Sequence, residues 1–347
     1  MRALTYQGPR TIAYDNVPDP APYGTDGAVV QVRACGICGS DLHIYDGRGF
    51  SPDIGFCVGH EAVGEVVETG SGVRRFAVGD RVLVPASTGC ATCGNCRAGR
   101  VAWCEQGLLG CYGLASILPG SQAEAVAVPF ADTNLVRLPD EIDDEAALLL
   151  TDNLPTAWYG ARRARIAPGD TVAVIGLGPV GLLAVMAAQT MGAARVFGID
   201  LVPTRRAQAA ALGAEPIESD EPKYALRDAT RGLGPDVVLE AVGADATIRL
   251  AVEVVRRGGR VSVVGVNQTR SFPFPMALAQ VKELEFHIGL CSVQYELPAL
   301  LPLVAAGRIA PGRVITHRMP LSAGPEAYRL FASRTDGVAK IVLDPRG

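Results

Sequence analysis

The sequence has no excess of basic residues. Its 347 residues include 32 lysines and arginines against 36 aspartates and glutamates, which gives a formal net charge of −4. Binding to a phosphate backbone requires a positively charged surface. The composition therefore argues against nucleic acid as a partner, and the length is typical of about two domains.

The N-terminus lacks the features of a secretory signal. The first residues, MRALTYQGPR, place no apolar segment behind Arg2, so we expect a protein of the reducing cytoplasm. A chain of this length buries enough apolar surface to hold a core without disulfide bonds. The nine cysteines are therefore expected to be metal ligands or catalytic groups rather than disulfide bridges.

No uninterrupted apolar run of membrane-spanning character is present. Residues 171–194 carry no charge and reach the length at which a membrane helix is suspected. Three glycines and a proline interrupt this run between positions 176 and 181, and such residues mark turns. We predict a buried strand, a tight turn and a buried helix here, and no membrane partner.

The pattern of the sequence changes twice along the chain. Short β-rich runs broken by Gly, Pro and Asp clusters fill the first part, which indicates an irregular, mainly β domain. Between residues 169 and 266, strand-like and helical runs alternate, and this alternation predicts crossover units around a parallel sheet. The loop-rich β pattern returns after residue 283. We predict an α/β fold with a mainly β domain at 1–150, a doubly wound nucleotide-binding domain at 151–284, and a segment at 285–347 that returns to the first domain.

A glycine-rich turn follows the first strand of the alternating part. The residues Gly176-Leu-Gly178-Pro-Val-Gly181 fit the pattern GxGxxG between a predicted strand and a predicted helix. The glycines permit a sharp turn, close approach of the backbone to a pyrophosphate, and close packing of helix on strand. Asp200 ends the next strand, where an acid accepts hydrogen bonds from a ribose hydroxyl. The arrangement predicts a dinucleotide site that prefers NAD to NADP, because a carboxylate repels a 2′-phosphate.

Two alternatives compete with this assignment. The glycines would also suit a tight turn in a domain that binds no nucleotide, with Asp200 as a solvated strand end. Arg205 and Arg206 would suit a 2′-phosphate, or they lie on a solvated helix face. The position of the acid keeps NAD as the favoured cofactor.

Four cysteines lie close together in a glycine-rich segment, here called the four-cysteine lobe (residues 90–104). These residues are Cys90, Cys93, Cys96 and Cys104. Four sulfur ligands suit a closed, tetrahedral zinc site, and metal binding would then order the lobe. An iron–sulfur cluster is the chemical alternative, and a redox dithiol is a weaker one.

A second group of metal-binding residue types lies upstream. Cys38 and His60 are candidate ligands, although a single cysteine or histidine is more often a core residue. Ser40, Asp41, His43 and Glu61 lie close to them in the sequence. Such groups supply the proton transfer and supporting hydrogen bonds that a catalytic metal requires.

With these motifs in order, the chain resembles the zinc-dependent medium-chain alcohol dehydrogenases. The resemblance covers nearly the whole length, and it is carried by the stretches 36–43 and 59–64, the four-cysteine lobe, and the glycine turn with Asp200. It implies a GroES-like, mainly β catalytic domain and a Rossmann nucleotide-binding domain. It also implies two zinc ions per chain, one catalytic and one structural.

The resemblance implies that Cys38, His60 and Asp152 hold the catalytic zinc. Many members of the family have cysteine at the third position, and the aspartate here is similar to the formaldehyde-dehydrogenase-like branch. A carboxylate in place of a thiolate makes the zinc a stronger Lewis acid. By the same resemblance, Glu61 approaches the zinc when water or substrate exchanges, and Asp41 orients His60.

The remaining functional residues also follow from the resemblance. Ser40 and His43 form the proton relay, with Ser40 at the substrate oxygen. The cofactor residues are Thr156 and Val180 at the nicotinamide, Arg205 at the adenosine ribose and Lys340 at the pyrophosphate, with Pro179 and Val264 also at the cofactor.

The function that this resemblance implies is an NAD-dependent zinc alcohol dehydrogenase, which oxidises a primary or secondary alcohol and catalyses the reverse carbonyl reduction. We expect a small alcohol, aldehyde or ketone as substrate and a homodimer or homotetramer. The alternatives are a formaldehyde dehydrogenase or aldehyde dismutase with tightly held NAD, and a non-catalytic zinc- and nucleotide-binding protein. The joint presence of the candidate ligands and relay residues favours an enzyme.

Overall fold

The computed structural model describes residues 1–49, 51–106, 110–219, 221–335 and 337–347. The chain divides into two units. The first unit contains residues 1–155 and 292–347, and the second contains residues 156–291. Both ends of the chain therefore belong to the first unit.

The N-terminal part of the first unit consists of short elements joined by long loops. In chain order they are β1 (Arg2–Gly8), β2 (Thr11–Asn16), β3 (Ala28–Ile37), α1 (Asp41–Tyr45), β4 (Ala62–Thr69), β5 (Arg81–Val84), α2 (Gly94–Arg97), β6 (Ala125–Val128), α3 (Ala131–Asn134), β7 (Val136–Arg137) and α4 (Asp144–Leu149). A 3₁₀ helix lies at Val101–Trp103. Helix α5 (Asn153–Arg163) follows.

The second unit alternates strands and helices. Its elements are β8 (Thr171–Ile175), α6 (Pro179–Thr190), β9 (Arg195–Ile199), α7 (Pro203–Ala211), β10 (Glu215–Pro216), α8 (Pro222–Ala229), β11 (Val237–Glu240), α9 (Asp245–Val254), β12 (Arg260–Val263), α10 (Met276–Lys282) and β13 (Glu285–Ile288). The chain then re-enters the first unit with α11 (Val293–Ala305), β14 (Ile315–Pro320), α12 (Gly324–Ser333) and β15 (Lys340–Asp344), and with 3₁₀ helices at Pro311–Val314 and Leu321–Ala323.

The main sheet of the first unit joins strands from both ends of the chain. Its strand order is β14-β15-β3-β4-β5-β7, and β6 also pairs with β3. Strands β3 and β4 are antiparallel with Cys35 opposite Ala62, so the end of β3 and the start of β4 lie at the same edge of the sheet. A core of buried apolar side chains, including Ile37, Val66 and Tyr328, packs within this unit.

The second unit contains a parallel sheet with the strand order β10-β9-β8-β11-β12-β13. The strand order reverses between β8 and β11, which is where doubly wound sheets bind ligands, outside the carboxyl ends of the strands. Its core includes Phe197, Val238 and Val261. The α/β class and the parallel sheet predicted from the sequence are confirmed.

The uncharged run 171–194 forms strand β8, a turn and helix α6, as predicted from its glycines. Helix α6 begins at Pro179, and proline suits this first helical position because the first N–H groups of a helix have no internal partner. Most of its side chains are buried, which explains its apolar composition. Every helix within the described ranges is too short or too polar to cross a bilayer.

Candidate active site and metal centres

The four-cysteine lobe brings its sulfur atoms together. Cys90, Cys93, Cys96 and Cys104 place their Sγ atoms within 4.8 Å of one another. Cys93 precedes α2, and its Sγ accepts a hydrogen bond from the backbone N–H of Cys96 at 3.4 Å. The backbone N–H of Cys93 donates to Sγ of Cys90, also at 3.4 Å. Short turns within the lobe therefore direct the sulfurs toward one point.

Local hydrogen bonds favour the thiolate form of Cys90. The Thr92 hydroxyl and the Cys93 backbone N–H lower the pKa of Cys90 to about 6, whereas burial raises the pKa of Cys96 to about 12. A bound cation would bring Cys96 to the thiolate form. Gly89 is required beside it, because a Cβ at this position would lie 2.6 Å from Sγ of Cys96. Four converging sulfurs without a carboxylate in the set fit a closed tetrahedral zinc.

A second cluster gathers Cys38, His60, Glu61 and Asp152. Their ligand atoms also lie within 4.8 Å of one another. Sγ of Cys38 donates to Oδ2 of Asp152 at 3.3 Å, and Nε2 of His60 is 3.6 Å from the same oxygen. Cys38 follows β3, His60 lies just before β4, and Asp152 precedes α5. The antiparallel pairing of β3 with β4 therefore brings the first two residues to one edge of the sheet.

Burial and neighbouring charges shift the pKa values of the Cys38 cluster in different directions. Burial and the nearby Asp152 carboxylate raise the pKa of Cys38. Burial alone would lower the pKa of His60, but the Asp41 carboxylate and other anionic neighbours raise it well above the ordinary value. Burial also raises the pKa of Asp152, but interactions with His60 and Cys38 outweigh it and the net shift is downward. A divalent ion would favour the thiolate, the neutral imidazole and the carboxylate together.

Asp41 supports both the cysteine and the histidine of this cluster. Its Oδ2 accepts a hydrogen bond from the backbone N–H of Cys38 at 2.9 Å, and its Oδ1 lies 3.0 Å from Nδ1 of His60. A carboxylate this close to Nδ1 favours the proton on that nitrogen, which would leave Nε2 for a metal. Asp41 thus lies beside His60, and its role in orienting that histidine stays a prediction.

Glu61 forms a buried ion pair with Lys340. Both side chains are fully buried, and Nζ of Lys340 contacts Oε2 of Glu61 and donates to the carbonyl oxygen of Ile37 at 3.1 Å. Oε1 of Glu61 has no hydrogen-bond partner among the described residues, which suits a carboxylate beside a metal. The ammonium of Lys340 therefore lies in the interior of the first unit, and its predicted pyrophosphate contact stays a prediction.

Ser40 and His43 lie close to the cluster on the segment that begins α1. Oγ of Ser40 is 3.1 Å from Nε2 of His60, and the backbone N–H of His43 donates to the Ser40 carbonyl at 3.1 Å. Burial and the nearby Arg48 cation lower the pKa of His43. His43 is consequently a neutral imidazole at pH 7 and is able to accept a proton.

Asn153 is a site residue that the sequence patterns did not single out. Its Nδ2 donates to Oδ2 of Asp152 at 3.0 Å and to Sγ of Cys38 at 3.5 Å, and the side chain is fully buried. These contacts fix two candidate ligands relative to one another. The sequence offers one signal for Asn153, which is its position next to Asp152. That position does not predict a contact with Cys38, which lies far away in the sequence.

The glycine turn of the second unit has the geometry that its motif requires. Gly176 has φ +87°, and a Cβ on Gly181 would lie 1.7 Å from the Gly176 carbonyl oxygen. A Cβ on Gly178 would meet only Arg205, 3.9 Å away, so the backbone there is open to a ligand. The first and third glycines thus serve packing, and the second leaves room for a phosphate.

Asp200 is attached to the same turn. Its Oδ2 accepts from the backbone N–H of Leu177 at 2.7 Å, and its Oδ1 accepts from the N–H of Val202 at 2.9 Å. Nη1 of Arg205 is 3.9 Å from Oδ2. The carboxylate therefore braces the glycine turn and carries a negative charge at the end of β9.

The other predicted cofactor residues of the second unit lie on three elements. Val180 is the second residue of α6, Thr156 lies in α5, and Val264 follows β12. The turns after β8, β9 and β12 contain Gly176, Asp200 and Val264, and the carboxyl ends of parallel strands share one edge of the sheet. This edge is the predicted nucleotide site.

Comparisons with known proteins agree with both units. The alcohol dehydrogenase GroES-like domain family matches residues 24–140, and the zinc-binding dehydrogenase family matches residues 179–306. The curated relative named "Probable zinc-binding alcohol dehydrogenase Rv1895", from Mycobacterium tuberculosis (strain ATCC 25618 / H37Rv), is 42% identical over 99% of this chain and 89% of its own length.

Solved structures show the same likeness. Alcohol dehydrogenase TADH from Thermus sp. ATN1 superposes with a TM-score of 0.93 at 42% identity, over 99% of each chain. A protein named "putative zinc-binding dehydrogenase", from Sinorhizobium meliloti 1021 and bound to NADP in its structure, superposes with a TM-score of 0.84 at 29% identity, also over 99% of each chain. These likenesses extend over both units of the chain.

Proposed function

The chain belongs to the zinc-dependent medium-chain alcohol dehydrogenase family, and from this premise we propose that it transfers hydride between an alcohol and NAD at a zinc held by Cys38, His60 and Asp152. Membership of the family makes it a zinc-dependent oxidoreductase that uses a nicotinamide cofactor and acts on small alcohols and carbonyl compounds. The observation that carries the proposal is the convergence of these three side chains, with Glu61, within 4.8 Å.

We assign two zinc ions to the chain. The second would be held by Cys90, Cys93, Cys96 and Cys104, whose thiolates close a tetrahedral site without room for substrate. The Cys38 cluster differs because Cys38, His60 and Asp152 supply three ligands and leave a position for substrate or water. An iron–sulfur cluster in the lobe is distinguished from zinc by its visible absorption.

The chain's own residues provide the orientation and the proton pathway. When bound, zinc supplies Lewis-acid chemistry that lowers the pKa of an alcohol hydroxyl, and NAD supplies the hydride acceptor. Asp41, whose Oδ1 lies 3.0 Å from Nδ1 of His60, would favour the proton on that nitrogen, and Asn153 donates to both Asp152 and Cys38. In the proposed relay, Oγ of Ser40 takes the proton of the substrate hydroxyl, and the neutral ring of His43 is the group that accepts a proton for release to solvent.

This proton pathway predicts a pH effect at Arg48. The Arg48 cation contributes to the lowered pKa of His43, so Arg48→Gln should raise that pKa. Since the imidazole must be neutral to accept a proton, the acidic limb of the kcat/KM profile for alcohol oxidation should move to higher pH. Arg329→Gln removes a cation paired with Glu326 and should leave the limb in place. If the acidic limb of the profile lies at the same pH in Arg48→Gln, in Arg329→Gln and in the unmodified protein, His43 is not part of the proton pathway.

A second prediction concerns His43 itself. His43→Gln should lower kcat for alcohol oxidation by about 100-fold or more, the usual contribution of general acid–base catalysis, while the zinc content stays unchanged. Small amine bases in the assay buffer should restore part of the rate. A variant with undiminished kcat at every pH would contradict the assigned role.

The preference for NAD rests on Asp200. Asp200→Asn keeps an oxygen that accepts from the backbone N–H of Leu177 but removes the negative charge. A hydrogen bond that involves a charged group contributes about 1.5–3 kcal/mol, so we expect the ratio of kcat/KM for NAD to that for NADP to fall roughly tenfold. An unchanged ratio would place cofactor selectivity at other residues, with Arg205 and Arg206 the first to test.

The substrate, assembly and location are further parts of the proposal. A panel of primary and secondary alcohols, followed by NADH absorbance, tests the substrate class, and NAD that copurifies in stoichiometric amount would favour the dismutase-like alternative. The family resemblance supports a homodimer or homotetramer, which light scattering distinguishes. A cytoplasmic location agrees with the free cysteines among the described residues and is tested by fractionation of the source cells.

A further inference from the structure

Gln122 lies in the interior of the first unit and contacts two of the segments that carry the Cys38 cluster. Its side chain is fully buried. Nε2 donates to the carbonyl oxygen of Gly36 at 2.8 Å and reaches Oδ2 of Asp41 at 3.4 Å. Gly36 and Asp41 flank Cys38 in the sequence, so the amide of Gln122 contacts this ligand segment on both sides.

The remaining acceptor of Gln122 is used by the C-terminal part of the chain. The hydroxyl of Tyr328, on α12, donates to Oε1 of Gln122 at 2.9 Å. Tyr328 is buried, and burial together with the Asp41 charge raises its pKa well above the ordinary value. The hydroxyl therefore stays protonated and remains a donor. A buried amide whose oxygen and nitrogen both have partners is held in one orientation.

The backbone around Gln122 also pairs with the segment that leads to His60. The N–H of Gln122 donates to the carbonyl of Val58 at 3.0 Å, and the N–H of Ser121 donates to that of Gly59 at 2.9 Å. Gly59 has φ +89°, and a Cβ there would lie 2.3 Å from Cγ of Gln122. The glycine before His60 thus makes room for this glutamine.

Because this arrangement contacts both ligand segments, we infer that Gln122 is a positioning residue for the catalytic zinc. It holds the Cys38 segment and the His60 segment in register, and Tyr328 fixes the orientation of its amide. A series of side-chain contacts thus runs from Tyr328 through Gln122 and Asp41 to His60. Through these contacts α12, which contains no proposed zinc ligand, helps to position the histidine. This inference rests on the proposed zinc site at Cys38, His60 and Asp152.

The test is the zinc affinity of each cluster in Gln122→Met, which keeps an unbranched side chain of similar length and removes the polar contacts. Competition with a chromophoric chelator, with native mass spectrometry to count zinc, gives the affinities. Asp152→Ala identifies which of the two zinc ions belongs to the Cys38 cluster. We expect zinc at this cluster to bind about tenfold more weakly in Gln122→Met, since loss of an outer hydrogen-bond partner costs 10- to 100-fold as an order of magnitude.

Asn134→Leu is the matched control. Asn134 is also a fully buried amide of the first unit, but it joins Gly89, next to the four-cysteine lobe, to the Pro129 carbonyl. We expect this variant to leave zinc at the Cys38 cluster unchanged. Equal weakening there in both variants would indicate a general loss of packing and would overturn the inference.

A spectroscopic measurement separates positioning from folding. With Co²⁺ in the Cys38 cluster, Gln122→Met should shift the visible d–d bands, because His60 and Cys38 change their relative geometry. Tyr328→Phe removes one oxygen and leaves the packed ring, so it should fold and show a smaller shift of the Co²⁺ bands in the same direction. If Gln122→Met does not fold, Tyr328→Phe is the variant that tests the inference. Native affinity and native Co²⁺ bands in a folded variant would refute the role of Gln122. Absence of metal from this cluster in the unmodified protein would instead refute the proposed function.

Discussion

Asp152→Ala is expected to remove the zinc from the Cys38 cluster and nearly abolish alcohol oxidation, while the four-cysteine lobe keeps its ion. Oδ2 of Asp152 lies 3.3 Å from Sγ of Cys38 and 3.6 Å from Nε2 of His60. Among the described residues, the cluster has one other carboxylate, that of Glu61, which is paired with Lys340. Lewis-acid catalysis by a metal contributes several kcal/mol, and each 1.4 kcal/mol is about tenfold in rate. We therefore expect kcat/KM to fall by about 1,000-fold or more.

Two further variants show whether Asp152 acts as a ligand. Asp152→Cys supplies the thiolate that is common at this position in the family and should retain two zinc ions per chain. Asp140→Ala removes a carboxylate that is almost fully exposed and should change neither zinc content nor rate. Zinc counts come from native mass spectrometry and rates from NADH absorbance. Two zinc ions and full activity in Asp152→Ala would remove this residue from the ligand set.

Cys96→Ser is expected to have the largest effect on stability. Cys96 is the most buried cysteine of the lobe. Its replacement by serine would leave the zinc with three thiolate ligands instead of four. A structural zinc stabilises the folded form of a small metal-binding segment by about 10 kcal/mol or more. Without it, the lobe should be locally unfolded in a much larger fraction of the molecules. We expect trypsin to cleave after Arg97 and Arg100 at least about 100-fold faster than in the unmodified protein.

The control for this variant is Cys57→Ser. Cys57 is also buried in the first unit, but it belongs to neither cluster. It should retain both zinc ions and the unmodified cleavage rate, and a chelator should make the unmodified protein resemble Cys96→Ser. Slow cleavage of Cys96→Ser, with its zinc still present, would show that the lobe is ordered without the metal.

The parts of the site that the sequence predicts best are those built from neighbouring residues. The four cysteines lie within one short segment, so their spacing alone limits the geometry they adopt. The glycine turn is similar, because a strand, a turn and a helix follow one another directly along the chain. In both cases residue types and local conformation determine the arrangement.

The Cys38 cluster depends on pairing across the chain. Cys38 and His60 meet because β3 pairs with β4, and Asp152 joins them from 114 positions beyond Cys38. Residue types alone favoured a core position for both the cysteine and the histidine, and only the polar residues clustered around them indicated a metal site. The resemblance to a family supplied Asp152, which no spacing rule identifies.

Other contacts of the site were not predictable in this way. Gln122 and Tyr328 are 206 positions apart in the sequence and meet only in the folded unit. The buried pair of Lys340 with Glu61 joins positions 279 apart, and the sequence offered no reason to place that lysine in a core. A polar residue without a local motif is expected at the surface, so its role appears only with the packing around it.

The most direct test of the proposed zinc site is the anomalous scattering of a crystal of the zinc-loaded protein at the zinc absorption edge. We expect two peaks per chain, one within bonding distance of Cys38 Sγ, His60 Nε2 and an Asp152 carboxylate oxygen, and the other surrounded by the sulfurs of Cys90, Cys93, Cys96 and Cys104. A fully loaded, active protein without a peak among Cys38, His60 and Asp152 would contradict this expectation.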